Sequence, residues 1–227
     1  MLREIKEALN ITEDIYELIR STAKAGMTER ELFSAAEQKL NGLGYEKGQY
    51  LFDFLSGVRT AGIDGGATDK ILEKNDLLLV DFSLCHNGAW CDTCRTFFLG
   101  SPSKEQKEIY ELLLSAMEAG VRKIGPGVPG EDIYEAVMEP IKRKGMKEKM
   151  PHHAGHGIGK QPFQKPVFKP GNKTYLKSGD IVTLEPGAYF LQQWGIRIED
   201  DFLVTEEGAQ LLFCCPLGIE HFILPTF

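Results

Sequence analysis

The chain repeats itself, and a repeat of this kind restricts the fold more than any composition does. Sliding the 227-residue sequence along itself by 101 positions lays AGMTERELFSAAEQKLNGLGY on PGVPGEDIYEAVMEPIKRKGM. Gly26 then falls over Gly127, Leu32 over Ile133, Phe33 over Tyr134, Ala35 over Ala136, Leu40 over Ile141 and Gly44 over Gly145. With a few residues inserted, NDLLLVD ending at Asp81 falls on GDIVTLE ending at Glu185, and DTCRTFFLG from Asp92 falls on EDDFLVTEEG from Glu199. Each half therefore predicts a helix followed by two strands, each strand carrying an acid. Related halves bury a common interface, and a site on their pseudo-two-fold axis draws ligands from both. The expected class is α/β in the α+β sense, a single domain over 1–227 with halves of about 1–100 and 101–227.

Composition excludes several functions. A formal charge of −7 and a pI near 5.4 do not suit a general nucleic-acid binder, which needs a basic face. No apolar run approaches the ~20 residues of a membrane span, and Met1 to Glu4 opens an amphipathic helix rather than a signal peptide, so the expected location is cytoplasmic. Five cysteines, an odd number, fit a reducing compartment better than a disulfide framework. Cys91 and Cys94 form a CxxC, but in the strand-like AWCDTCRTFF positions three apart face opposite ways, so the two sulfurs do not converge. Cys94 shares the face of Asp92.

Apolar periodicity predicts a first helix from about Leu2 to Ala25, with Ile5, Leu9, Ile15, Leu18 and Ile19 forming an apolar stripe that is broken near Asn10-Ile11-Thr12. Thr28-Glu29-Arg30-Glu31 is a capping-box pattern opening a second helix that Gly42 and Gly44 end. A strand over Leu51 to Leu55 leads into the Gly-rich AGIDGGATDK. LLLVDFSL and AWCDTCRTFFLG then read as a hairpin around Asn87-Gly88. Ser101-Pro102-Ser103 opens a helix to about Ile124, and Glu131 to Lys144 forms another in which Pro140 predicts a kink or a new turn. The segment from Gly155 to Lys177 reads as loop with short strands. DIVTLEPGAYF and GIRIEDDFLVT read as two strands, with a last one near Leu211 to Cys214.

Asp81 follows LLLV and Glu185 follows IVTL, apolar runs in which an unpartnered charge is costly. Four carboxylates gathered by two matching halves, Asp81, Asp92, Glu185 and Glu199, would raise one another's pKa values unless cations stood among them. His156, in GHGIG, lies between the halves, and its flanking glycines allow close backbone approach. One imidazole with carboxylate oxygens is a donor set for Mn, Fe, Co or Zn rather than for a thiolate zinc. His152 and His153 in PHHAGHGIG are candidates to face substrate. Arg197, two residues before Glu199, is open to orienting that acid, to holding a substrate carboxylate, or to a plain ion pair. His86 and His221 have no supporting context and read as structural.

VDFSLCHNGAWCDTCRTFFLG, GHGIG, LEPGAY and GIRIED together resemble the pita-bread metallopeptidase family, which includes methionine aminopeptidase, aminopeptidase P, prolidase and creatinase. RIED is most similar to the Xaa-Pro peptidase branch, and the length to its catalytic module alone. The resemblance implies a pita-bread fold, with a curved antiparallel sheet covered by helices, and a site for two divalent metal ions. Asp81 would chelate one ion and His156 and Glu185 the other, with Asp92 and Glu199 bridging. A hydroxide held between the ions would attack the scissile carbonyl of a short peptide, and Glu185 would act as general base. A homodimer is left open.

The chain departs from the family at two substrate-binding places. A His common in the loop before the first Asp is Asp64 here, and a His that usually follows GHGIG is Phe163, in FQKP. In the family these imidazoles contact the substrate amide and the developing oxyanion, and losing such a donor costs ~10²–10³ in rate. Asp64 and Phe163 thus point to a different substrate, to compensation by His152 or His153, or to a lapsed catalyst; Asp64 is also open to being a plain turn residue of the Gly-rich loop, and Phe163 to being an apolar wall of a specificity pocket. Besides an Xaa-Pro peptidase, a non-peptide C–N hydrolase of the creatinase type and a non-catalytic metal-binding relative remain as alternatives.

Overall fold

The computed structural model describes residues 1–213 and 215–224. Among them are four helices, α1 (Leu2–Thr22), α2 (Glu29–Gly42), α3 (Lys104–Lys123) and α4 (Gly130–Arg143). The first half carries β1 (Tyr50–Ser56), β2 (Leu77–His86) and β3 (Ala89–Leu99). The second carries β4 (His156–Gly157), β5 (Gln164–Val167), β6 (Ile181–Leu184), β7 (Gly187–Phe190), β8 (Trp194–Arg197), β9 (Asp200–Thr205) and β10 (Gly208–Leu211), and β11 (Ile223–Leu224) closes the described chain. The strands form sheets in the orders β1-β2-β3-β11 and β10-β9-β6-β4-β5, plus the hairpin β7-β8. Every pairing is antiparallel except β3 with β11.

The repeat is visible bond by bond. Gly26 and Gly127 both take the left-handed conformation that a side chain disfavours. The Gly26 amide donates to Leu72 O at 2.9 Å, as that of Gly127 does to Leu176 O at 2.8 Å. Thr28 bridges to Ile71 as Pro129 bridges to Tyr175. Asp76 Oδ2 accepts from the amide of Glu73, and Asp180 Oδ2 from that of Lys177. One apolar core includes Leu32 and Leu40 of α2 together with their counterparts Ile133 and Ile141 of α4.

The two halves meet at the acids. The amide of Cys94 donates to Glu199 O at 3.2 Å and that of Glu199 to Cys94 O at 3.1 Å, which joins β3 to the start of β9 across the seam. Behind this pair Arg95, fully buried, donates to Glu199 O at 2.7 Å and to Asp200 Oδ1 at 2.5 Å.

Local signals account for most elements. Thr28 with Glu31 and Ser103 with Gln106 form the caps of α2 and α3, and Asn87 and Gly88 both have positive φ, as a two-residue hairpin turn requires. Cys91 lies in the main core and Cys94 in a small cluster with Leu55, Leu79 and Tyr189, so the CxxC thiols do face opposite ways. His86 binds Tyr45 and Glu7, and His221 lies beside Glu220 at the surface.

The first helix runs from Leu2 to Thr22, and at the break in its apolar stripe Thr12 is buried with its hydroxyl donating to Ala8 O. Helix α4 carries Pro140 within it and extends to Arg143. Two expectations change. The two strands predicted over DIVTLEPGAYF and GIRIEDDFLVT are four, broken at Glu185-Pro186 and at Ile198-Glu199. Pro186 has no amide for a ladder, and the Glu199 amide is committed to Cys94 in the other half. The last predicted strand ends earlier, at Leu211, and Cys214 lies outside the described residues.

Glu29 ties α2 to the Gly-rich loop. Its side chain is fully buried, accepting from the amide and hydroxyl of Ser56, both at 2.7 Å, from the amide and hydroxyl of Thr68, at 2.9 and 2.7 Å, and from Arg59. Burial alone would raise its pKa, but the Thr68, Arg59 and Ser56 donors outweigh burial and hold the carboxyl below the ordinary range. A depressed pKa stabilises the fold above the unfolded-state pKa and ceases to do so as pH falls through the folded value. Glu29→Gln is expected to cost about 2 kcal/mol near neutral pH. Urea melts across pH should show the difference shrinking below about pH 4; a constant difference down to acid would contradict this role.

Candidate metal centre

Each half delivers its acids on paired strands. Asp81 lies mid-way along β2, opposite Asp53 of β1 and Cys94 of β3. Asp92 of β3 accepts from Ser83 Oγ at 2.8 Å, and its amide donates to Asp201 Oδ2 at 3.1 Å. From the second half, His156 opens β4, while Glu185 and Glu199 occupy the two strand breaks. These breaks explain the geometry: where β2 runs straight through Asp81, its counterpart bends at Glu185 and turns that side chain inward.

All five residues line one cavity of about 270 Å³. His156 Nε2 stands 3.6 Å from Asp92 Oδ2 and 3.8 Å from Glu185 Oε1, and ligating atoms of Asp92, His156 and Glu199 lie within 4.8 Å of one another. The Nδ1 of His156 is 3.0 Å from Gly157 O and donates to it, which leaves the Nε2 lone pair facing the acids.

The electrostatics are those of a cluster with more acids than its one guanidinium, Arg197, can offset. Burial, then Asp81 and Asp201, push the Asp92 carboxyl well above its ordinary range, and burial, then Asp92 and Glu185, do the same to Glu199. Burial pushes His156 down. Glu185 goes the other way: burial raises it, but His153 first and then His152 and His156 outweigh that and hold it at about 2. Glu185 Oε1 and Glu199 Oε1 are buried without a hydrogen-bond partner. Carboxylates that repel one another, orphaned oxygens and one oriented imidazole suit divalent ions of the Mn, Fe, Co or Zn kind.

The remaining candidates border the same cavity. Arg197 engages Asp81, Nη2 to Oδ2 at 2.7 Å, and Asp53 at 3.4 Å, rather than Glu199. Its Nη1 donates to Ile63 O at 3.0 Å and to Tyr189 Oη at 3.1 Å. Tyr189 Oη in turn lies 3.0 Å from His152 Nε2, and His152 Nδ1 lies 2.6 Å from His153 O, so both nitrogens of His152 are engaged. His153 Nδ1 is 2.8 Å from Glu185 Oε1. Phe163 is 52% exposed, with its ring centroid 4.5 Å from that of His156 and 5.4 Å from that of His153, so it forms a wall of the site rather than part of the core. Asp64 is exposed at the rim, after a γ-turn in which Ile63 takes φ 75° and ψ −58° and the Asp64 amide donates to Gly62 O. A β-branched residue there is strained, and the turn aims the Ile63 carbonyl at Arg197.

Sequence reasoning missed Asp53, Tyr189 and Asp201. An acid at the centre of the apolar YLFDFLS was a usable signal for Asp53, as for Asp81. Nothing local marks Tyr189, whose hydroxyl matters through partners distant in sequence.

Residues 3–206 match the metallopeptidase family M24. An uncharacterised peptidase of Staphylococcus aureus strain MW2 is 34% identical over 211 residues, 93% of this chain and 60% of the relative. The uncharacterised peptidase YqhT of Bacillus subtilis is 31% identical over 215 residues, 95% and 61%. Among solved structures, an X-Pro aminopeptidase from Thermotoga maritima superposes with a TM-score of 0.92 at 32% identity, covering 98% of this chain and 62% of that one. A prolidase from Pyrococcus furiosus does so at 0.90 and 33%, covering 94% and 64%. The chain thus spans about three fifths of the length of these relatives, and its mixed helices and antiparallel sheets are those of their pita-bread fold. By this match along nearly its whole length, the chain belongs to metallopeptidase family M24.

Proposed function

We propose that residues 1–227 form one catalytic unit, a binuclear metal-dependent hydrolase of the Xaa-Pro type acting on short peptides. The observation that carries this is the convergence of Asp81, Asp92, His156, Glu185 and Glu199 on one cavity. Asp81 would hold one ion, His156 and Glu185 the other, and Asp92 and Glu199 both. Bound there, the ions supply Lewis acidity to the scissile carbonyl and activate water. Glu185, at the cavity wall, would accept the proton of the attacking water and pass it to the leaving amine. Arg197 fixes Asp81 and, through Tyr189, the ring of His152. Asp64 and Phe163, standing where the family has imidazoles, also favour a second reading, hydrolysis of a non-peptide C–N bond as in creatinase.

A bridging carboxylate serves both ions, so Asp92→Ala and Glu199→Ala should each lose both; metal analysis of purified variants that retain full content would refute the shared site. Asp64→His combined with Phe163→His should raise turnover of an Xaa-Pro peptide by about 10²-fold if the lost donors are what limits it. No gain, with turnover of a small guanidino or amide compound by the unaltered chain, would transfer the assignment to the second reading.

A further inference from the structure

His153 and Glu185 stand in an unusual relation. Their Nδ1 and Oε1 atoms are 2.8 Å apart, within hydrogen-bond distance, yet each is a buried atom that makes no hydrogen bond. The separation is right and the direction wrong. Two atoms pointing at a common third point produce this pattern: ligands at right angles on one ion with bonds of about 2.1 Å stand about 3 Å apart, with their lone pairs converging on the ion rather than on each other. Glu185 is only 8% exposed, and its Oε1 is buried without a partner.

The other imidazole of the site is suitably placed. The ring centroids of His153 and His156 are 5.6 Å apart, at 83° to one another. Two imidazoles bound to one ion through bonds of about 2.1 Å hold their centroids roughly 4.5–5.5 Å apart at ligand angles of about 90–120°, since each centroid lies about an ångström beyond its nitrogen, and the observed separation needs only a small closure of the rings on the ion. His156 Nε2 faces Glu185 Oε1 at 3.8 Å, so both rings approach the same carboxylate oxygen. Phe163 packs on both rings, and an apolar ring there excludes water from the imidazole side of the cavity.

We propose that His153 is an additional metal ligand in this chain, so that the ion held by His156 and Glu185 carries two imidazoles. This rests on the binuclear reading above. It gives the HH pair in PHHAGHGIG two separate duties: His152 is locked by Tyr189 and the His153 carbonyl, and His153 is directed at the ion. A second imidazole in place of oxygen also makes that position softer, which favours zinc or cobalt over manganese there.

The test is X-ray absorption at the zinc edge on the full chain loaded with zinc alone. With two ions bound, two imidazoles shared between them average about one per zinc, whereas one imidazole averages about half. The higher value is expected, and it should fall to the lower in His153→Asp, a variant that offers a carboxylate in place of the ring and keeps both ions. His153→Asn keeps a polar side chain of similar reach beside Glu185 but no ligating ring, and should weaken the second zinc by more than the ~10- to 100-fold typical of residues that only orient a ligand. Two zinc ions with the lower imidazole count in the unaltered chain, or wild-type zinc affinity in His153→Asn, would overturn the proposal and leave the binuclear reading intact. A chain that takes up no zinc would overturn both.

Discussion

The seam between the halves brings like charges together in a place where they cannot be hydrated. Asp92, Glu185, Glu199 and Asp201 are all buried, and an unpaired buried charge costs several kcal/mol even after relaxation. The surrounding architecture consists largely of devices for tolerating that. Arg197 pairs closely with Asp81 and more distantly with Asp53, Arg95 neutralises Asp200 and also supports the Glu199 carbonyl, and Ser83 donates to Asp92. Among the carboxylate oxygens these residues leave without a partner, Glu185 Oε1, Glu199 Oε1, Asp200 Oδ2 and Asp201 Oδ1, the two glutamates line the cavity, and divalent cations are their natural complement.

Internal duplication explains why such a site exists at all. A strand pair carrying two acids is unremarkable by itself, with each acid on a wet face. Packing two such pairs about an axis encloses the wet faces against each other. The halves then diverge: β2 and β3 stay continuous through Asp81 and Asp92, while the second half breaks beside Glu185 and Glu199. Pro186 and the crossing bonds between Cys94 and Glu199 enforce those breaks, at the cost of ladder hydrogen bonds, and direct both glutamates into the shared cavity.

Much of this was legible in the sequence, for identifiable reasons. Capping residues at Thr28 and Ser103 and the Asn87-Gly88 turn act within a few residues of themselves, so their signals survive without tertiary context. The acids were legible because the repeat correlates them. The apolar stripe of α1 breaks near Thr12, yet Thr12 is buried there because its hydroxyl bonds back to Ala8 O in its own helix, and burial is not a local property. The broken strands of the second half looked continuous because the partner that takes the Glu199 amide lies 105 residues away, from 94 to 199. Arg197 was noticed, but its alignment with Asp81 rather than the nearby Glu199 depends on how the two sheets cross. Phe163 stands where the family has an imidazole, and which histidines its ring covers, His153 and His156, depends on how the loop after β4 folds back over the site.

The central claim, that the seam of acids is completed by two cations, is tested most directly by anomalous diffraction from crystals grown with zinc or manganese, recorded at the metal's absorption edge. The account predicts two strong peaks about 3.5–4 Å apart, both within the cavity, one beside Asp81 and the other beside His156, with Asp92 and Glu199 between them. Peaks elsewhere on the molecule, or a metal-free cavity whose carboxylates pair only with protein groups, would contradict it.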